Sequence, residues 1–506
     1  MRATSWAKLI RNTSGQYLAT AVSVLTSLAL VPFTVRHIGL ADFGLWALVN
    51  GLFGTMGLLD AGLSPTLTKK SAELLARNEE AQLNETASRI LTLYCLCGAI
   101  AFVIFVLLAA FARELFRVSP ESVDRFRIIL LIVALQLAIS FPLSTWSGIT
   151  AGLQDYHFSS AVAIVTNLVK CALTFVLLKT GFGLISLIWL GLATTFASGI
   201  ACTVWVRHRL GWLRLKPSIR YLKNIGELTR FSGSMFIWGI AGRVVMEADR
   251  IIIGLFLPMT SVGVYEIGLR ICNYSRGVLY PVFTFLPAAS DLSARDEKEG
   301  LRKLYLIGTK YFMLAYAFVA GALFLFGRQF VYLWMGPGFD ISIAVLFVLL
   351  LGNIYQSQNI VAHVLLPGIG RLRAFTWVMI SYPILNVVLS IAFIKLWGLV
   401  GVAWGTTCTY VLAESVLLYF ISRVFDLRLS KIFVSCHVPV LAVLTPAMAI
   451  AYYFKVIVTR QSWPVLLAGL AIFSVCFAVA ALVYGVSGSE RNRIRAAAAK
   501  LIPRTA

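Results

Sequence analysis

Apolar runs long enough to cross a bilayer recur from one end of this sequence to the other. By length and hydropathy the chain divides into about fourteen of them, each near the roughly 20 residues that a membrane-spanning helix needs. They fall at 15–36, 43–63, 90–112, 128–150, 159–178, 184–206, 231–257, 262–288, 305–326, 341–364, 374–394, 399–422, 436–454 and 464–485. The polar stretches between them are short, so almost no chain remains for a soluble domain. In hydrocarbon a lone segment must satisfy its backbone N–H and C=O groups internally, which leaves the α-helix. The pattern predicts an all-α polytopic membrane protein. A composition of 59% hydrophobic and 13% charged residues over 506 positions agrees.

The formal net charge of +22 would suggest nucleic acid in a soluble protein. Here most of the 44 Lys and Arg gather in the loops and tails on the N-terminal side of the membrane. That is the positive-inside pattern, so the basic excess sets orientation, with both termini cytoplasmic. Attraction to anionic lipid headgroups is a second use, and no nucleic-acid partner is expected. Arg2, Lys8 and Arg11 precede the first run as they would in a signal peptide. The run is long, with no small-residue cleavage site before Val35-Arg36, so an uncleaved first helix is expected. The eight cysteines lie in or beside apolar segments without a C-x-x-C pair, which points to free packing thiols.

The two halves resemble each other. Gly39-Leu40-Ala41-Asp42-Phe43-Gly44-Leu45-Trp46 follows the first run, and Pro258-Met259-Thr260-Ser261-Val262-Gly263-Val264-Tyr265 follows the seventh. Each following run ends in a polar loop, SPTLTKKSAELLARNEE or LPAASDLSARDEKEG. Later, LVKCALTFVLLKTGFGLISL matches ILNVVLSIAFIKLWGLVGVAW in its Lys, its Gly-Leu turn and its second apolar span. An even number of spans per repeat makes the repeats parallel, about an axis along the membrane normal. The expected layout is a six-helix lobe at 1–206, a basic cytoplasmic linker at 207–230, a second six-helix lobe at 231–422, and two added helices with a basic tail at 423–506. For the linker, an amphipathic interfacial helix is weighed against a plain tether.

The seventh run, FIWGIAGRVVMEADRIIIGLF, holds Arg243, Glu247, Asp249 and Arg250. A charge at the bilayer centre costs about 2.5–3.5 kcal/mol on insertion scales, so such residues face a partner helix or a hydrated cavity. Arg243, Glu247 and Arg250 fall within about 60° on one helical face, while Asp249 points elsewhere. The next run adds Glu266 and Arg270 at i,i+4, Arg276, and Pro281, which removes a hydrogen bond to the Gly277 carbonyl and predicts a kink. Asp60, Lys170, Lys310 and Glu414 are the other charges within runs. Glu414 is expected to reach the membrane interface. Gly51, Gly54 and Gly57 would let another helix approach closely.

The basic residues Arg276, Arg270, Arg243, Arg250 and Lys170 are candidates for an anionic substrate. The acids Asp60, Asp249, Glu247 and Glu266 are candidates for a coupling ion, H+ or Na+. Purely structural pairing competes with both roles, with Glu266–Arg270 and Glu247–Arg250 as the expected structural pairs and Arg276 lacking an obvious local partner. His363 and Asn353 lie in the tenth run, where a packed, hydrogen-bonded role is expected. No metal cluster, phosphate-cradling glycine loop, G-x-S-x-G or D-x-D sequence is present, and no large loop could house an enzyme site. No enzyme and no cofactor are expected.

HIGLADFGLWALVNGLFGTMGLLDAGL, EADRIIIGLFLPMTSVGVYEIGLRI and KLWGLVGVAWGTT resemble signatures of the Wzx-type polysaccharide and O-antigen flippases, within the multidrug/oligosaccharidyl-lipid/polysaccharide superfamily. The resemblance covers nearly the whole chain. It implies two six-helix lobes around a central cavity, alternating access, and an undecaprenyl pyrophosphate-linked oligosaccharide moved to the outer leaflet of a bacterial inner membrane. Polymerase and chain-length machinery would be partners. Lipid II flippases of the same superfamily carry a basic residue in the first helix, and QYLATAVSVLTSLALVPFTV has none. Drug/cation antiporters of the multidrug and toxic compound extrusion type share the fold and remain the alternative. A membrane enzyme of polysaccharide assembly is a third reading, disfavoured by the short loops.

Overall fold

A computed structural model gives the structure and describes residues 6–60, 62–218, 220–221, 242–370, 372–458 and 460–486. Among them there are helices and no strands. The principal helices are α1 (Trp6–Met56), α2 (Leu63–Arg77), α3 (Glu80–Ala110), α4 (Val123–Gly152), α5 (Tyr156–Lys179), α6 (Leu184–Arg209) and α7 (242–256). They continue as α8 (Met259–Ser275), α9 (Phe285–Ala294), α10 (Lys298–Met335), α11 (Asp340–Ser357), α12 (Ala362–Gly368), α13 (Leu372–Val424), α14 (Val438–Ile457) and α15 (Trp463–Ala480).

Ten helical stretches among the described residues are long and apolar enough to cross a membrane. Two of them each cover two of the runs expected from sequence, Gly15–Asp60 and Phe375–Val424. A glycine leaves helical geometry inside each: Gly39 at φ 81° and ψ 165° in α1, and Gly398 at φ 61° and ψ −139° in α13. A side chain resists both conformations, so the corners fall where Cβ is absent. Of the expected run 231–257, only 242–257 is among the described residues, and 242–256 of it is helical. The run 262–288 is not one helix. Its α-helical part ends at Ser275, Arg276–Thr284 winds as a 3-10 helix, and α9 follows. The change begins five residues before Pro281, because the missing proline N–H acts back along the chain, one turn toward the N-terminus.

The polar loop after Asp60 is also different from expectation. Leu63–Arg77 forms a 15-residue helix. Leu67, Ser71 and Leu74 recur at helical spacing and are buried, while Lys69 and Lys70 stay exposed. Glu73 pairs with Lys70 at 3.3 Å and Arg77 at 3.1 Å, and the Lys70 hydrogen bond holds its carboxyl below the usual range. The corresponding loop of the second half contains α9. Both helices end alike. Asn78 and Asp296 adopt positive φ (58° and 51°), and the following amide reaches back five residues, Glu79 N–H to Leu74 and Glu297 N–H to Leu292. The repeat seen in sequence thus extends to its helix caps.

The chain forms two compact units, Met1–Glu266 and Ile267–Ala506. In the first, α4 packs against α2, α3 and α6, and α5 lies along α1. Tyr94, Phe105, Phe126, Ile129 and Leu130 form its fully buried core. The helix α7, which the repeat assigns to the second lobe, packs in this unit. In the second, α11 packs on α10 and α13, and the added pair α14–α15 docks on α10. Phe473 stacks on Phe318 there at 5.6 Å. Apolar side chains such as Trp377, Leu396 and Tyr453 are exposed on the helix exteriors, as lipid contact requires.

Residues 210–218, the described start of the linker, form no helix beyond a turn. They run as a strap along α3. The amides of Arg214, Lys216 and Ser218 donate to Asn84 Oδ1, Ser88 Oγ and Thr92 Oγ1 at 2.8, 3.1 and 3.0 Å. Four helical residues rise about 6 Å and two extended residues about 6.6 Å, so side chains every fourth position on α3 meet every second amide of the strap. The interfacial-helix reading is not supported over these residues. The rest of the linker lies almost wholly outside the described residues.

Candidate functional site

The charged face of α7 meets the glycine stripe of α1. A methyl added to Gly51 would lie 3.1 Å from Arg250 Cδ, and one added to Gly54 would lie 2.7 Å from Glu247 Oε1. Gly57 stands in the same relation to the guanidinium of Arg243. Three glycines at i, i+3 and i+6 thus oppose three charged side chains on one helical face. The close approach predicted for these glycines is made by the charged helix itself.

Arg250 ties the acids together. Its Nη1 donates to Glu247 Oε2, and its Nε donates to Glu266 Oε2 at 2.7 Å. The Glu247–Arg250 pair is as expected. Glu266 turns to Arg250, across the turn between α7 and α8. The side chains of Arg250 and Glu266 are only 12% and 3% exposed. Charges this buried persist only when paired and hydrogen-bonded. Arg243 is exposed at the next turn and adds positive field at Glu247. Asp249, on the other face of α7, is buried and accepts the Tyr265 hydroxyl at 2.5 Å. Asp60 closes the 3-10 turn after α1. It accepts the Tyr94 hydroxyl at 2.5 Å and the Ser64 amide at 3.2 Å. Lys170 is half-buried on α5 and is not brought into the α7 cluster by any of these bonds.

In the second unit Arg276 is half-buried at the start of the 3-10 segment. Its Nη1 reaches the Tyr410 hydroxyl at 3.5 Å. Arg270 is half-buried on α8. Asn353 donates to Cys272 Sγ at 2.9 Å, one turn before Arg276. Glu414 departs from expectation. It does not reach an interface; it is 0% exposed. Its Oε1 accepts from Tyr382 and from His363 Nε2, the latter at 3.0 Å, and its Oε2 accepts Asn359 Nδ2 at 2.8 Å. The donors come from α12, the turn before it and the earlier half of α13, none of them within helical reach of Glu414 in the sequence, which is why hydropathy placed Glu414 wrongly. His363 is hydrogen-bonded, as expected.

A family model described as "Polysaccharide biosynthesis protein" matches residues 9–293, more than half of the 506-residue chain. The chain belongs to the polysaccharide biosynthesis protein family. It is 20% identical over 501 residues to the uncharacterized membrane protein EpsK of Bacillus subtilis, covering 96% of this chain and 97% of that one. Over 258 residues it is 22% identical to Agl15 of Haloferax volcanii, provisionally named a low-salt glycan biosynthesis flippase, covering 50% and 52% of the two chains. A Shigella flexneri protein provisionally named an O-antigen transporter is 19% identical over 421 residues, 82% of this chain and 98% of that one. Among solved structures, the lipid II flippase MurJ in an inward closed conformation superposes with a TM-score of 0.72, covering 94% and 98%, at 13% identity. An inward-facing MATE-family multidrug transporter of the MOP superfamily gives 0.69, covering 80% and 94%, at 16% identity. The fold of this family member is therefore like that of these two transporters.

The matched region contains α7, Arg270 and Arg276. Among the described residues no group of three or more His, Cys, Asp or Glu is placed to hold a metal ion, and all eight cysteines are free thiols. The arrangement can hold charge inside apolar segments and present guanidinium groups there. The Glu414 cluster was the buried polar feature that sequence reasoning missed. Its signal was the co-occurrence of Asn359 and His363, one turn apart, with an acid in another run.

Proposed function

We propose that this protein moves a lipid-linked oligosaccharide from the cytoplasmic to the outer leaflet of its membrane during surface polysaccharide biosynthesis. The observation that carries this reading is the family match over 9–293, which includes the buried charges of α7 and the arginines of α8 and the 3-10 segment. A substrate on an undecaprenyl pyrophosphate carrier poses one main physical problem. Its pyrophosphate and sugars must cross a region where each unsatisfied polar group costs several kcal/mol. Guanidinium groups suit phosphate oxygens, and Arg276 and Arg270 are our candidates for that contact. Lys170, Arg243 and Arg250 are weaker candidates, since Arg250 already binds two carboxylates.

The cation-antiporter alternative loses ground on the same geometry. Glu247 and Glu266 are both held by Arg250, Asp249 by Tyr265 and Asp60 by Tyr94. A site in a bacterial inner membrane with cytoplasmic termini, and cooperation with polymerase and chain-length machinery, complete the proposal. Disruption of the gene in its source organism, with complementation, tests it. Mass spectrometry should find a complete repeat unit accumulating on its lipid carrier while surface polysaccharide is lost. Unchanged lipid-linked glycans, with resistance to organic cations lost, would replace the flippase reading by the antiporter.

A further inference from the structure

Among the described residues Glu414 is the most enclosed acid in the second unit, and its surroundings form more than a structural pair. The carboxylate is fully buried on the later half of α13. Its donors come from three places: Tyr382 on the earlier half of α13, His363 on α12, and Asn359 in the turn between α11 and α12. Asn359 Nδ2 also donates to the Glu414 carbonyl at 2.8 Å, so both its hydrogens are used and its amide orientation is fixed. The ring of His363 is different. Its side chain is 19% exposed where Glu414 is 0%, and Phe375 packs edge-on against it at 5.5 Å. One end of the pair is sealed and the other reaches the surface of the unit.

Tyr305 of α10 stands near the carboxylate, and Gln356 of α11 stands near Tyr382. The Tyr410 ring is 6.0 Å from that of Tyr382, and the Tyr410 hydroxyl receives Arg276 at 3.5 Å. Arg276, Tyr410, Tyr382, Glu414 and His363 therefore form a continuous chain of polar contacts and packed rings. It runs from the candidate anion site to the exposed edge of an imidazole.

We propose that His363 and Glu414 form a proton-binding site of the second unit, linked through Tyr382 and Tyr410 to Arg276. With Nε2–H donating to Glu414, the neutral ring can accept a solvent proton at Nδ1. One proton is taken up and the pair passes from one net negative charge to none. A buried net charge is costly and a neutral, hydrogen-bonded ion pair much less so, which gives the site its affinity for the proton. Imidazole has a nitrogen on each side of the ring, so one can hold the carboxylate while the other exchanges the proton. Binding alters the acceptor load on Glu414 and hence its hold on Tyr382, which packs beside the partner of Arg276. The use of this proton in transport rests on the flippase reading, whereas the binding does not.

The chain has five histidines, so ring-selective nitrogen-15 labelling of the full-length protein in detergent is tractable. Loss of one signal in H363Q assigns His363. We expect that signal to follow uptake of a single proton, and E414Q to weaken the uptake at least about tenfold, one pH unit of midpoint. The other four rings serve as the folding control. Y382F takes one donor from the carboxylate and should strengthen proton binding, which carries the test if E414Q fails to insert. Identical titrations in wild type, E414Q and Y382F would overturn the proposal, as would a His363 ring that never takes up a proton while the protein stays folded. Glycolipid transport by the same proteins, reconstituted from detergent into vesicles, separates the two readings. A wild type that titrates as expected but moves no lipid-linked glycan defeats the flippase reading alone. Transport with variant-independent titration defeats the proton site alone.

Discussion

Gly44 and Gly263 meet backbone to backbone. A methyl added to Gly44 would fall 2.8 Å from the Gly263 nitrogen, and one added to Gly263 would fall 2.6 Å from the Leu40 carbonyl oxygen. The two residues occupy the same position in the repeated motifs Gly39–Trp46 and Pro258–Tyr265, and the contact is reciprocal. Gly44 approaches Met259, and Gly263 approaches Leu40, the residue aligned with Met259. Small residues permit this closeness between helices in lipid. Backbone cannot yield as a flexible side chain can, so Gly44→Ala and Gly263→Ala should each destabilise the protein by about 1–3 kcal/mol. Thermal unfolding in detergent checks this, with Gly277→Ala, where nothing lies within 4 Å, as the silent control.

Arg250→Ala should be more damaging. It leaves Glu247 and Glu266 without the cation that joins them, and breaking a buried pair costs about 3–5 kcal/mol. Arg250→Lys restores charge but not the fork that reaches both acids, so it should recover only part of the loss. A triple variant, Arg250→Met with Glu247→Gln and Glu266→Gln, should unfold at a higher temperature than Arg250→Ala.

Arg276→Ala and Arg270→Ala should each reduce transport at least about tenfold, as expected for a lost hydrogen bond to a charged group. Membrane abundance should equal that of the wild type. Lipid-linked glycan accumulation in complemented cells reads the effect. Full transport by both variants at equal abundance removes the pyrophosphate role from these arginines.

Tyr94→Phe takes the 2.5 Å donor from Asp60 and leaves the Ser64 amide at 3.2 Å. The expected cost is about 1–3 kcal/mol in unfolding free energy. Tyr94→Phe combined with Asp60→Asn should lose less than Tyr94→Phe alone, because the unsatisfied acceptor is then uncharged.

The membrane class, most spans and the corner at Gly398 were legible because each depends on local composition: apolar runs of a set length and glycine at the turns. The glycine stripe of α1 was legible as a close-packing surface, but its partner α7 lies nearly two hundred residues away in a sequence that offers no ruler for such distances. Arg250 was visible as one member of an i,i+3 pair. Its second acid, Glu266, is brought in by the turn at Pro258, beyond helical periodicity. Glu414 was misplaced for the same reason. Nothing in YVLAESVLL announces that Asn359, His363 and Tyr382 converge on it. Local pattern also failed at 63–77, where lysines disguised an amphipathic helix as a loop.

Ser88→Ala or Thr92→Ala should release the strap at Lys216 or Ser218, at a cost of about 0.5–1.5 kcal/mol per bond. Faster amide exchange confined to residues 214–218 is the expected result. Exchange unchanged in both variants would show that the strap is held by other contacts.

The strap and α3 are commensurate, two residues of one advancing as far as four of the other. That matching quantises the connector. A one-residue insertion within 214–218 turns the donating amides away from Asn84, Ser88 and Thr92, whereas a two-residue insertion restores the match one notch along. A change of length inside 214–218 that keeps the match therefore comes in steps of two, a spacing set by three polar side chains and the pitch of a helix.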